Sequence, residues 1–125
     1  MDGYFKKAFG LNGRVALVTG GGSGLGYAIS RCLASAGAQV VMAGRRQEVL
    51  ECACDEIGHN ACYKVHDITD TGSAQGFIED IVKKHGSIDI LINNAGRHCK
   101  KAVADIAIQD FRDVMDVHLY GSFAL

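Results

Sequence analysis

Two kinds of segment alternate along the chain. Short runs rich in aliphatic and β-branched residues are typical of buried strands, and the stretches between them carry apolar residues at the three- and four-residue spacing of amphipathic helices. The predicted strands are 14–19, 38–43, 61–66 and 88–92, and the predicted helices are 24–37, 45–57, 70–85 and 109–125. Residues 1–13 are expected to form an irregular lead-in to a domain that spans 14–125.

Local patterns predict how these elements are buried. Strand 61–66 alternates and is expected near a sheet edge, whereas strand 88–92 is nearly all apolar and is expected to be buried on both faces. Gly37 is expected to end the first helix. The apolar stripe predicted for that helix consists of Leu25, Ala28, Ile29, Cys32, Leu33 and Ala36. The residues predicted to point inward from helix 70–85 are Phe77, Ile78, Ile81 and Val82.

Strict alternation of strands and helices predicts the fold class. Right-handed crossovers between successive strands give a parallel sheet, so we expect a Rossmann-like, doubly wound α/β fold with helices on both faces. In this fold the first three strands lie in the order 3-2-1 and the fourth lies on the other side of strand 1. The turns after Thr19 and Ile92 then meet at one crevice, the place where such sheets bind ligands.

Composition excludes several classes of protein. The chain is 48% hydrophobic and 22% charged, with a net charge of −1, which gives no electrostatic reason to expect nucleic acid or a membrane surface as a partner. No apolar run is long enough to span a bilayer. The five cysteines are scattered, and Cys52 and Cys54 point to different faces of a predicted helix. We therefore expect free thiols, a cytoplasmic location and no metal site.

A glycine cluster after the first strand is the most informative motif. Five of the seven residues from Gly20 to Gly26 are glycine, between a predicted strand and a predicted helix. This geometry directs backbone N–H groups and the positive end of a helix dipole at a phosphate, here the pyrophosphate of a dinucleotide. The common fingerprint G-x-G-x-x-G is not met. The wider spacing T-G-x-x-x-G-x-G is met, by Thr19, Gly20, Gly24 and Gly26.

Two further motifs complete a family resemblance. An aspartate, Asp67, follows the third strand, and the run Asn93, Asn94, Ala95, Gly96 follows the fourth. From about residue 11 to residue 125 the chain resembles the short-chain dehydrogenase/reductases. The resemblance implies that Asp67 and the Ile68 backbone contact the adenine and that residues 93–96 face the adenosine ribose. The cofactor-binding residues that it implies are Gly20, Ser23, Gly24, Leu25, Gly26, Arg45, Asp67, Ile68, Asn93, Asn94, Ala95 and Gly96.

Two of these assignments have alternatives. Taken alone, Asp67 is more typical of a turn or of a helix N-cap ahead of Thr69 and Asp70, but its place at the end of the third strand favours the adenine role. At the end of the second strand, Gly44 stands where an acidic residue would bind the ribose 2′-hydroxyl of NAD, and Arg45 follows it. An arginine there favours the 2′-phosphate of NADP(H), although Ser23 stands where many NADP-preferring relatives carry a second basic residue. NAD(H) therefore stays open.

The catalytic residues of the family are a Ser and a Tyr-Lys pair four residues apart, and this chain has no such pair: Tyr4 precedes Lys7 by three, and Tyr63 precedes Lys64 by one. We therefore expect the chain to be the N-terminal, cofactor-binding half of a protein about twice as long. His118 stands where the family usually has an Asn that supports the catalytic Lys. It is either a half-buried packing residue or a participant in a proton relay that titrates near neutral pH.

The expected function is hydride transfer between a nicotinamide and an alcohol or ketone carbon. The alternative is a non-catalytic dinucleotide-binding or redox-sensing relative. The resemblance also implies a homo-oligomer, a dimer or tetramer, with the helix 109–125 at an interface. The substrate cannot be predicted from this part of the sequence.

Overall fold

A four-stranded parallel sheet forms the centre of the protein. The computed structural model describes residues 3–125, and the strands lie in the order β3-β2-β1-β4. This order and direction confirm the predicted Rossmann-like sheet. The strands are β1 (Val15–Thr19), β2 (Gln39–Gly44), β3 (Ala61–Val65) and β4 (Ile90–Ile92).

Within residues 3–125 one α-helix precedes the first strand, three connect the strands and two follow the last strand. They are α1 (Gly3–Phe9), α2 (Gly24–Ser35), α3 (Gln47–Ile57), α4 (Ala74–His85), α5 (Ile108–Met115) and α6 (Ser122–Ala124). A 3₁₀ turn at Thr71–Ser73 precedes α4, so this helix begins later than predicted. The predicted helix 109–125 is interrupted: between α5 and α6 the chain forms a π-helix at Asp116–Gly121. No helix within residues 3–125 combines the length and the hydropathy needed to cross a bilayer.

Apolar residues pack on both faces of the sheet. On one face, Val40 and Met42 of β2 are fully buried against Leu50 of α3 and Ala34 of α2. On the other face, Leu17 of β1 packs in a cluster with Phe77 and Ile81 of α4. The helices therefore cover both faces, as predicted for a doubly wound fold.

The buried face of α2 differs from the predicted stripe. Its buried residues are the small Gly26, Ser30 and Ala34, four positions apart. A Cβ on Gly26 would collide with the carbonyl oxygen of Gly20, so the helix lies too close to the β1 turn for large side chains on this face. Hydrophobic periodicity alone does not detect such a face. Three members of the predicted stripe are exposed: Leu25, Ala28 and Cys32. Gly37, with a φ of +100°, follows the helix end as predicted.

Of the two edge strands, β3 matches its sequence prediction, and β4 is less buried than predicted. β3 lies at an edge, as its alternating pattern predicts. β4 was expected to be buried on both faces, but it is the opposite edge, and Leu91 is 40% exposed. An all-apolar run is typical of a strand at the centre of a sheet, but within residues 3–125 β4 pairs only with β1.

The lead-in is not irregular throughout. Residues Gly3–Phe9 form α1, and the rings of Phe5 and Phe9, four positions apart, stack with centroids 5.9 Å apart. Aromatic pairs at this spacing stabilise a helix, and the prediction of an irregular segment missed this one. Met1 and Asp2 lie outside the described residues.

Candidate functional site

A cleft of about 400 Å³ opens at the carboxyl ends of the strands. The turn after β1 and the residues that follow β2, β3 and β4 form its walls. Seven of the sequence-predicted cofactor residues line it: Gly20, Ser23, Arg45, Asp67, Ile68, Ala95 and Gly96. Five lie outside its lining: Gly24, Leu25, Gly26, Asn93 and Asn94.

The turn after β1 depends on glycine at two positions. Gly20 has a φ of +63° and donates its N–H to the carbonyl of Ala43, 2.8 Å away. A Cβ on Gly20 would lie 3.0 Å from the side-chain nitrogen of Asn94. Gly24 has a φ of +56° and faces open space, so only its backbone conformation requires glycine. The positive φ values turn the chain sharply from β1 into α2.

The N-terminus of α2 has no side-chain cap. Ser23 occupies the N-cap position, but its hydroxyl makes no capping hydrogen bond, and the first turn contains no acidic residue. The first N–H groups of any helix have no partner within the helix. They remain available here beside Ser23, at the positive end of the helix dipole. This is an arrangement that can bind an anion.

Thr19 joins the two turns of the cleft. Its hydroxyl accepts hydrogen bonds from the backbone N–H groups of Asn94 and Ala95, both at 3.0 Å, and donates to the carbonyl of Ile92 at 3.3 Å. The side-chain amide of Asn94 donates to the carbonyl of Gly20 at 3.2 Å. Asn94 therefore links neighbouring strands from below the cleft, and Asn93 is exposed outside it. Thr19, only 2% exposed, is a site residue that the sequence analysis placed in the glycine motif without assigning it a role.

Asp67 lines the cleft and also forms a local turn. Its Oδ1 accepts hydrogen bonds from the hydroxyl of Thr69 at 2.7 Å and from the N–H of Thr69 at 3.0 Å. These hydrogen bonds lower the pKa of the Asp67 carboxyl below its usual value. The next residue, Ile68, is buried. Asp67 therefore forms this turn and lines the cleft at the same time.

His66 is a cleft residue that no sequence motif indicates. Its ring stacks on Phe77, with centroids 4.1 Å apart and 12° between the planes. The side chain is buried, and Nε2 has no hydrogen-bond partner among the described residues. Burial lowers the pKa of His66 below its ordinary value. Burial therefore favours the neutral form of the ring.

Two arginines follow β2 at the cleft wall. Arg45 and Arg46 both line the cleft and are exposed, and neither takes part in an ion pair within residues 3–125. The residue before them, Gly44, carries no charge, so this wall is cationic. It can accept an anionic group on a ligand.

His118 lies in the π-helix, across from the turn after β4. Its Nε2 is 3.0 Å from both the backbone nitrogen and the backbone oxygen of Arg97. The side chain is exposed and hydrogen-bonded, which differs from the half-buried packing residue considered above. The guanidinium of Arg97 lies 3.5 Å from the carboxylate of Asp113 in α5.

The sequence analysis missed several lining residues, and only some of them left a signal in the sequence. Thr19 is part of the glycine motif, and Arg46 and Arg97 each adjoin a predicted residue. Thr69 belongs to the turn that Asp67 forms. Val49, Leu50 and Val117 follow no motif, since they reach the cleft through the packing of α3 and the π-helix. The lining residues not predicted are Thr19, Gly22, Ala43, Gly44, Arg46, Val49, Leu50, His66, Thr69, Arg97 and Val117.

Comparison with known proteins agrees with this geometry. The family model described as short chain dehydrogenase matches residues 14–125. A crystal structure of a short chain dehydrogenase from Bacillus anthracis superposes with a TM-score of 0.85 at 36% identity, covering 90% of this chain and 48% of the other.

Two curated relatives are reductases. The chain is 35% identical to the peroxisomal 2,4-dienoyl-CoA reductase of Arabidopsis thaliana over 98% of its own length and 42% of the relative's. It is also 35% identical to the fatty acyl-CoA reductase of Acinetobacter baylyi, over 92% of this chain and 41% of the other. The chain therefore spans less than half the length of these relatives.

These observations define a dinucleotide-type α/β fold with its ligand cleft at the carboxyl ends of the strands. The chain belongs to the short chain dehydrogenase family of oxidoreductases, whose members bind NAD(P)(H) in general.

Proposed function

We propose that this chain binds the dinucleotide of an NADP(H)-dependent oxidoreductase, which transfers hydride between the nicotinamide and an alcohol or ketone carbon. The nicotinamide supplies the hydride chemistry when it is bound, and this chain supplies binding and orientation. The uncapped N-terminus of α2 beside Ser23 supports a role in holding the pyrophosphate. Asp67 and Ile68, which line the same cleft, support a role in holding the adenine.

The residues present fit such a group. Glycine at position 26 lets the start of α2 approach the β1 turn, and glycine at position 20 lets that turn approach Asn94 and Ala95 after β4, because a Cβ at either position would meet those atoms. His66, next to Asp67, also lines the cleft. No acidic side chain follows β2 directly, since Gly44 ends the strand and Arg45 and Arg46 follow it.

The cationic wall at Arg45 and Arg46 is the observation that supports a preference for NADP(H). A 2′-phosphate carries negative charge, and charge-assisted hydrogen bonds to guanidinium groups are stronger than neutral ones. Arg45 and Arg46 make no ion pair with the described part of the chain, so ligand binding would not have to break one. A carboxylate at position 44 would instead repel the phosphate and bind a 2′-hydroxyl.

Two substitutions test this preference in opposite directions. Arg45→Ala should weaken NADPH binding about 10- to 100-fold, the effect of one charged hydrogen bond of about 1.5–3 kcal/mol, and should change NADH binding little. Gly44→Asp should weaken NADPH and strengthen NADH. Position 44 tolerates a side chain, because its Cβ would lie 3.4 Å from a methyl carbon of Leu50. Dissociation constants come from the fluorescence of the reduced nicotinamide.

Arg31→Ala is the matched control, since Arg31 is an exposed arginine of α2 that does not line the cleft. It should leave both dissociation constants unchanged. Equal losses of NADPH and NADH binding in Arg45→Ala would refute the NADP(H) assignment. Absence of binding of either nucleotide to the unsubstituted protein would refute the proposed function itself.

The proposal for the whole protein also includes a class of substrate and an oligomeric state. The two relatives described above are more than twice as long, and both are named as reductases of CoA compounds. For this protein we propose only the broader class, a small-molecule alcohol or ketone. We further propose a homo-oligomer, dimer or tetramer, with α5 and the helical turns after it at an interface, where Phe111 and Phe123 are exposed.

A further inference from the structure

We propose that His118 is a positioning residue that fixes the turn Gly96–Arg97 at the wall of the cleft. The inference rests on the proposed function only for its effect on dinucleotide binding; its structural part stands on the contacts of the turn. Ala95, Gly96 and Arg97 all line the cleft, so the residue that fixes this turn also sets the shape of one wall.

The ring of His118 holds the backbone of Arg97 through a single nitrogen. Nε2 lies 3.0 Å from both the N–H nitrogen and the carbonyl oxygen of Arg97. One ring nitrogen either accepts or donates, depending on where the ring proton lies. When Nε2 carries no proton it accepts from the N–H, and when it is protonated it donates to the carbonyl. The ring therefore makes one of these bonds at any time, and either one holds the turn to the π-helix.

A close contact at Gly96 accompanies this bond. A Cβ on Gly96 would lie 3.1 Å from Cε1 of His118, tighter than most such contacts in proteins. The ring thus packs directly on the backbone of Gly96. The small residue at position 96 and the large ring at position 118 fit together.

A second contact holds the side chain of Arg97. Its guanidinium lies 3.5 Å from the carboxylate of Asp113, which is 28% exposed, so both the backbone and the side chain of Arg97 are held by one helical segment. Residues five positions apart lie about 140° apart around a regular α-helix. The π-helix at Asp116–Gly121 contains His118 and turns more widely. We infer that this wider turn brings His118 to the same side as Asp113.

This arrangement makes a specific prediction about three variants of the full protein. His118→Leu removes the bond and should increase the exchange rate of the Arg97 amide hydrogen about 10-fold or more. It should also weaken NADPH binding about 5- to 10-fold. His118→Asn keeps a side-chain donor and acceptor and should stay within about 3-fold of the unsubstituted protein in both measurements. His59→Leu, at an exposed histidine outside the cleft, should change neither.

Amide exchange is followed by NMR in the protein without nucleotide, and binding by the fluorescence of NADPH. If His118→Leu leaves the exchange of both the Gly96 and the Arg97 amides unchanged, or if His118→Asn loses as much as His118→Leu, His118 is not a positioning residue. If the exchange rates behave as expected but no variant binds nucleotide, the proposed function fails while the positioning role stands. If exchange changes and nucleotide affinity does not, the turn is fixed by His118 but does not control binding, which overturns the second part of the inference.

Discussion

The sheet has a β3 side, which runs from β1 through β2 to β3, and a β4 side, which runs from β1 to β4. These two sides are stabilised in different ways. From β1 towards β3, five residue pairs connect β1 with β2 and five connect β2 with β3, and the side chains of Val40 and Met42 are fully buried. Towards β4, only three pairs connect it with β1, and Leu91 is 40% exposed. The β4 side is joined to the rest by hydrogen bonds of Thr19, Asn94 and His118. Ile90 and Ile92 of β4 also pack against the apolar core, so the two sides differ in degree: the β4 side has the shorter ladder and depends more on polar contacts.

Truncating one leucine on each side should give the largest difference. Leu17→Ala removes a fully buried side chain of β1 and should lower the free energy of unfolding by about 2–5 kcal/mol, because it leaves a cavity. Leu91→Ala removes a side chain that is already 40% exposed and should cost about 1 kcal/mol or less in the chain 1–125. Urea denaturation followed by circular dichroism measures both. Equal losses would show that β4 is buried in solution and would remove the contrast.

Removing the hydroxyl of Thr19 should have an intermediate effect. Thr19→Val keeps the shape but leaves the N–H of Ala95 without an acceptor, at a cost of about 1–3 kcal/mol for a buried unpaired group, while the N–H of Asn94 keeps only the carbonyl of Ile92 at 3.1 Å. Thr19→Ser keeps the hydroxyl and serves as the control. We expect the Asn94 and Ala95 amides to exchange faster in Thr19→Val, while the amides of β2 change little. An equal increase of exchange in β2 would show that the two sides do not differ.

The smallest expected effect is a pH dependence at His66. Burial lowers the pKa of this histidine in the folded protein, so between the folded and unfolded pKa values the unfolded chain binds more protons. The contribution of His66 to stability is therefore complete above about pH 6.5 and is lost as the pH falls below the unfolded value.

Thermal unfolding between pH 5 and pH 8 measures this dependence, and His66→Phe should reduce its slope. Phenylalanine keeps an aromatic ring against Phe77. His85, whose pKa burial also lowers, contributes in the same sense, so His85→Gln serves as a separate comparison. An identical slope in His66→Phe and the unsubstituted protein would show that His66 is not held neutral by the fold.

The sequence predicted the sheet well because its signals are local. Strand 38–43 is a short apolar run, and the glycine cluster from Gly20 marks the turn, so both strand order and cleft position follow from alternation and turn chemistry. The burial of α2 could not be predicted in the same way. Its inner face consists of Gly26, Ser30 and Ala34, because the helix approaches the turn after β1 too closely for large residues.

The residues of the candidate site fall into the same two groups, those that local sequence patterns predict and those that depend on packing between distant segments. Residues carried by motifs, such as Gly20, Asp67 and Gly96, lie at the cleft where the sequence placed them. His66 could not be recognised because its role depends on a stack with Phe77, eleven positions later in α4. The contact between His118 and Arg97 depends on a π-helix, and no pattern of apolar residues predicts a π-helix.

The bonds from Thr19 to the turn after β4 connect residues 73 to 76 positions apart. Contacts between distant parts of a chain form slowly, because a long loop must close before they provide any stabilisation. We therefore expect β1 and β2, which only α2 separates along the chain, to pair earlier in folding than β1 and β4. The two turns at the cleft would then come together late, and pulse-labelling hydrogen exchange of the Asn94 and Ala95 amides would show their late protection.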